Sequence, residues 1–192
     1  MTAATVSPTV ASCLTALGGF IVAQLGLSSY QVIQGYPNRV AMPPATNTGT
    51  PSGFVVMTTL SKKRLRTNVD NFSATNSPAP APGPVTSEQA QQLDVQLDVY
   101  GPNASEWADV LTTLLRDNIG CVALAPNCQP LYADDPIRAP LINAEMQYED
   151  RWIVTARLQY NAVVTTGQTY AVTLGPVDIV DVTPNGGFAP AV

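Results

Sequence analysis

Two carboxylate pairs, Asp134-Asp135 and Glu149-Asp150, and one basic run, Ser61-Lys62-Lys63-Arg64-Leu65-Arg66, carry the densest charge in this chain. Adjacent carboxylates can bind a cation, but acidic residues of this kind are more commonly solvated turn residues. The basic run holds four of the nine Lys and Arg residues. It admits three readings: a phosphate-contacting patch, a charged strand end that guards against unwanted pairing, or a contact with an acidic patch on a neighbouring subunit. Without interleaved aromatics or a known motif, the last two together outweigh nucleic-acid contact.

Catalysis has little to work with. The chain contains no histidine, so the commonest general base and metal ligand are missing. Ser, Lys and Cys occur outside the local frames that activate them, and the glycines form no phosphate-cradling loop. No catalytic, cofactor-binding or metal-ligating residue is assigned, and the chain reads as a non-enzyme. Cys13, Cys121 and Cys128 are odd in number and unlike zinc-site pairs in spacing, so reduced core or loop cysteines in a reducing cytoplasm are expected.

Composition bounds the remainder. The 192 residues suit one domain with long loops, and 45% are apolar, enough for a sizeable core. Only 12% are charged, against about a quarter in an average soluble domain. The surface therefore relies on uncharged polar residues, on cover by neighbouring subunits, or on both. A net charge of -5 argues against affinity for nucleic acid, although such a surface could line a channel through which it slides. The apolar run Thr9 to Leu27 has no basic region ahead of it, so it does not read as a signal peptide. Thr, Ser, Gln and Gly18-Gly19 interrupt it, which argues against a membrane span.

The elements that must position these residues follow from periodicity. Val10, Leu14, Leu17, Ile21 and Leu25 predict a helix, with Ser7 as N-cap, Pro8 at the first position and Gly26 as the stop. Gly18-Gly19 inside it marks local weakness or a close backbone approach. Gln31 to Tyr36 predicts a short strand, and Met42 to Gly53 a loop. Phe54 to Val69 predicts one long strand. Asn71 to Ser87, rich in Pro and Ala, predicts an extended excursion.

Along QLDVQLDVY, Leu93, Val95, Leu97 and Val99 face one way, and Asp94, Gln96, Asp98 and Tyr100 the other, which predicts a strand with one buried face. After Gly101-Pro102, Asn103 with Glu106 predicts a capping box. Trp107, Val110, Leu111, Leu114 and Leu115 form the stripe of a helix that 117–120 closes. Residues 121–143 read as irregular. Leu141 to Tyr148 and Trp152 to Val163 predict strands with a turn or bulge at Glu149-Asp150-Arg151, and 168–174 and 177–182 are weaker strand candidates. The order predicts an α+β domain, with a mostly antiparallel β-sheet, two helices packed on one face and long Pro-rich loops. Its expected extent is 1–165, with the Pro/Ala-rich loop at 72–87 and a C-terminal extension, strand-like then loose, at 166–192.

Several ordered segments resemble a known family. Pro130-Leu131-Tyr132-Ala133-Asp134-Asp135-Pro136, then Pro140 through Trp152, then Leu158-Gln159-Tyr160-Asn161, are similar to the C-terminal half of phage neck or tail-terminator proteins of the contractile-tail type. Leu65-Arg66-Thr67-Asn68 and the unit ending VYGPNASEWADVLTTLLR add to the likeness, which spans roughly residues 10 to 165. The resemblance implies a structural virion protein that forms a ring, a hexamer, capping the tail tube at the head–tail junction. The implied partners are copies of itself, tail-tube protein, sheath protein and head-completion or neck proteins, with DNA only as cargo through the lumen. No cofactor and no membrane are implied, and assembly would occur in host cytoplasm. Another ring component, a head-completion or baseplate protein, is the nearest alternative, and a small ligand-binding module the more distant one. The residues expected at contacts are Lys62, Lys63, Arg64, Arg66, Asp134, Asp135, Glu149, Asp150 and Arg151, with the loop Pro78 to Pro84.

Overall fold

A computed structural model describes residues 3–35, 53–73, 83–142 and 148–167. The strand candidates at 168–174 and 177–182 lie outside these residues, as do most of the loop from Met42, nearly all of the Pro78 to Pro84 loop, and 143–147.

The chain opens with β1 (Thr5–Ser7) and α1 (Val10–Leu25), passes a 3-10 turn at Ser29–Gln31, and continues through β2 (Val32–Gln34), β3 (Phe54–Arg64), β4 (Val69–Phe72) and β5 (Pro84–Tyr100). Then follow α2 (Ala104–Leu115), α3 (Asn118–Leu124), β6 (Gln129–Ala133), β7 (Ile137–Arg138), β8 (Leu141–Ile142), β9 (Tyr148–Glu149) and β10 (Arg151–Gly167). This is the expected α+β architecture with a mostly antiparallel sheet. β5 and β10 are its spine, pairing antiparallel without a register shift from Arg151 opposite Tyr100 to Gly167 opposite Pro84. Short strands tile both flanks. β7, β6 and β1 follow one another along the free edge of β10. β3 and β4 do the same along β5, and β2 adds the one parallel edge beside β3. β8 and β9 form a separate two-stranded ladder.

Helices and sheet share one core. Leu93, Val95, Leu97 and Val99 on β5, with Val154, Ala156 and Leu158 on β10, meet Leu17 and Ile21 of α1, Leu111 and Leu115 of α2, and Leu124 of α3. Each of these twelve side chains is at most 1% exposed, so the period-2 stripe of the strands and the 3.6-residue stripes of the helices bury one another. No helix among the described residues is long and apolar enough to cross a membrane.

Local signals differ from the sequence reading in instructive places. Thr9, not Ser7, is the α1 N-cap: its hydroxyl accepts from Ser12 N (3.1 Å), and Ser12 Oγ accepts from Thr9 N (2.9 Å), closing a capping box. Ser7 instead belongs to β1. Gly26 does end the helix, in the left-handed conformation at φ 64°. Gly18 faces the Met57 side chain rather than another backbone. Asn103 occupies the α2 N-cap position, but its side chain makes no capping bond. Asp117, read as the end of α2, starts a third helix by accepting from Asn118 N. The stretch 121–143, read as irregular, completes α3 and supplies β6, β7 and β8.

The single strand expected from Phe54 to Val69 is broken at 65–68, although Leu65 N still donates to Ala90 O at 2.9 Å and β4 continues along β5. β5 begins at Pro84, so the proline-rich excursion is shorter than expected.

Two predictions follow from the packing. Leu97→Ala removes a fully buried side chain from the sheet–helix core, and denaturant unfolding should show a loss of about 2–5 kcal/mol. Gly53 sits at φ 133°, where a Cβ would overlap the Tyr100 carbonyl and the Trp107 ring. Gly53→Ala should cost about 1–3 kcal/mol from backbone strain alone, and more from the overlap, read as a lower denaturation midpoint.

Candidate functional site

The sheet face away from the helices carries the charge. β5 contributes the repeat Gln92-Leu93-Asp94-Val95-Gln96-Leu97-Asp98-Val99, whose Gln and Asp residues share that face. Side chains two apart on a strand are same-face neighbours, and each Gln donates to the Asp that follows: Gln92 Nε2 to Asp94 at 2.6 Å, and Gln96 Nε2 to Asp98 at 2.8 Å. Asp94 and Asp98 are only 7% and 5% exposed. This face was expected to be the solvated one; instead it holds two buried carboxylates. Its Tyr100 end is apolar, with Tyr100 stacked on Phe54 at 4.6 Å beside Val56 and Ile33.

Buried carboxylates need partners, and the flanking strands supply them. Asp98 accepts from Arg151 Nε (3.1 Å) and Nη2 (2.7 Å). Asp94 accepts from Ser61 Oγ at 2.7 Å and pairs with Lys63 at 3.3 Å. On β10, Arg157 stands opposite Asp94 and donates to Asp134 at 2.9 Å. The series Lys63, Asp94, Arg157, Asp134 therefore crosses the sheet from β3 to the end of β6. It joins the basic run and one acidic pair that the sequence presented seventy positions apart.

Other predicted contact residues are also engaged within the chain. Arg66 pairs with Glu88. Asp135 pairs with Arg116 at 2.6 Å, and Arg116 Nε also donates to Ala133 O, tying the end of α2 to β6. Asp150 pairs with Arg138 at 3.0 Å, and Glu149 lies in the β8–β9 ladder. Lys62 and Arg64 are exposed and make no ion pair among the described residues. Asp94, Asp98, Arg116 and Arg157, which hold the network together, were not singled out from the sequence. The exact QLDV repeat was the available signal for the first two.

A cleft of about 190 Å³ is lined by Cys128 with Pro8, Pro126, Gln129, Gln159 and Asn161. The hydrogen bond with Cys13 and burial push the Cys128 thiol up, opposite to what activates a cysteine nucleophile. Cys13, Cys121 and Cys128 are free thiols. Among the described residues no cluster of three or more His, Cys, Asp or Glu could hold a metal ion.

Two tests address the network. Arg151→Ala leaves Asp98 buried and unpaired, so it should cost roughly 3 kcal/mol in urea unfolding, with part recovered by adding Asp98→Asn. At Asp94, burial pushes the carboxyl up, but hydrogen bonds from Gln92, Ser61 and Lys63, aided by the Lys63 charge, hold it below the ordinary 3.8. A carboxyl lowered by folding stabilises the fold above its unfolded value and loses that contribution as pH falls toward the folded one. The stability gap between the native chain and Asp94→Asn should therefore be constant near neutrality and shrink as pH drops below 3.8.

The family described as phage neck terminator protein matches residues 11–188. No curated protein matches the chain. With the match covering nearly its whole length, the chain belongs to the phage neck terminator protein family, whose role in the phage neck is structural.

Proposed function

We propose that the protein is the tail terminator of its virion: it closes into a ring, a hexamer, that caps the finished tail tube and presents a docking face to the neck and head-completion proteins, with sheath protein as a further neighbour. Membership of the neck terminator family over residues 11–188 carries this reading. The fold offers physical support. A 17-residue ladder gives a stiff body, and most described basic side chains are already engaged within the subunit. Assembly then works by shape and surface pairing, and we assign the protein no catalytic step. Six copies, each with a net charge of -5, would surround a lumen through which DNA passes without adhering. In the same reading residues 1–165 form the body, 166–192 extend from it, and the proline-rich loop meets a neighbour. The protein would assemble in host cytoplasm and remain at the tail–neck junction.

Electron microscopy of particles made without this protein tests the proposal. Tails of uncontrolled length, unattached to heads, are the expected result. Normal tails of normal length on filled heads would refute it. Imaging of the purified chain with tail tubes should show rings at one tube end, with an inner wall that is not basic.

A further inference from the structure

Two surfaces of the subunit complement each other in charge and form no ion pair with each other among the described residues. The first is the far end of β3, where Lys62 and Arg64 are exposed without an ion pair among the described residues and the neighbouring Leu65 is 46% exposed. The second is the outer stripe of α2. Glu106, Asp109, Val110 and Thr113 fall at helical spacing on one face. Glu106 and Asp109 make no ion pair among the described residues, and Val110 is 37% exposed. A shallow, mostly apolar groove of about 290 Å³ runs between Asp109, Val110, Thr113 and Leu114. Arg64 pairs with Gln91 on β5, whereas α2 leaves β5 beyond Tyr100.

We propose that these surfaces are the two halves of a subunit–subunit contact, with the β3 end of one copy seated on the α2 stripe of the next. This rests on the ring reading above. Lys62 and Arg64 face Glu106 and Asp109, and Leu65 enters the groove beside Val110. Two different patches that complement each other make a head-to-tail contact, the kind that closes into rings. A two-fold contact in which each patch met its own copy would instead set like charges against each other. The opposite charges steer the encounter and fix its register, while the apolar centre supplies contact area from which water is excluded.

Sedimentation velocity of the full chain, alone and with purified tail tubes, tests this at low and high salt. The variants are Lys62→Glu/Arg64→Glu, Glu106→Lys/Asp109→Lys, and the fourfold combination. All four positions lie outside the core and outside the ion pairs of the described residues, and thermal melting checks that each variant stays folded. Each double reversal should weaken self-association by about tenfold or more at low salt. The fourfold variant should regain it, and so should an equimolar mixture of the two double variants, because their patches are again opposite. Association unchanged by either reversal, or lost and not regained in the fourfold variant and the mixture, overturns the contact while leaving the ring intact. A wild-type chain that stays monomeric both alone and with tubes overturns the ring reading itself. Loss of duplex-DNA binding in Lys62→Glu/Arg64→Glu, with assembly unaffected, would make the basic end a nucleic-acid contact and overturn the proposal.

Discussion

The ladder between β5 and β10 is the constraint on which the rest of the structure depends. Because it runs without a register shift, every residue on either strand is assigned to one face, and a slip of one position would invert them all. That assignment puts Leu93, Val95, Leu97 and Val99 under the helices and Asp94 and Asp98 on the opposite side. It also places Arg157 opposite Asp94 and Ile153 opposite Asp98. The short strands add pairing at the edges without changing this frame. A sheet with two long central strands and tiled flanks leaves only brief free edges, which limits indiscriminate strand pairing.

The charge network follows from that frame. Burying Asp94 and Asp98 is costly unless each is paired and hydrogen-bonded, and the Gln residues two positions ahead supply one donor each from the same strand. The remaining partners come from β3 and β10, so the network also reports correct strand assembly: Arg151 meets Asp98, and Lys63 meets Asp94, only when the three strands are in register. With so few charged residues in the chain, internal pairing leaves few of the described cations without an ion-pair partner. The two without an ion pair in the described residues, Lys62 and Arg64, stand on the opposite side of the same strand from Lys63 and Ser61.

Much of the fold was legible because it depends on short-range pattern. The α1 stripe, the stop at Gly26 and the strand-to-helix switch after Gly101-Pro102 are each encoded within a few residues. The misread boundaries fall where local signals compete. Ser7 and Thr9 are both good caps, and pairing of Ser7 with Val163 in the sheet decides between them. Asp117 looks like a helix end, yet it caps α3, whose Leu124 is held in the core. β6 and β7 are too short and too rich in neighbouring prolines to show a period, and they form because β10 offers an open edge. The charged residues were legible as runs but not as partners, since nothing near Lys63 in sequence points to Asp94, nor near Asp134 to Arg157.

By itself, the order of residues determined the α+β class, the buried stripes and the lack of histidine, because each is a matter of composition or of spacing along a few turns or strand residues. Only the tertiary structure decided which face of β5 holds buried charge, and which described cations gain an ion-pair partner within the subunit. Ion pairs form between side chains a few ångströms apart, and strand pairing brings together positions that lie tens of residues from each other in the chain.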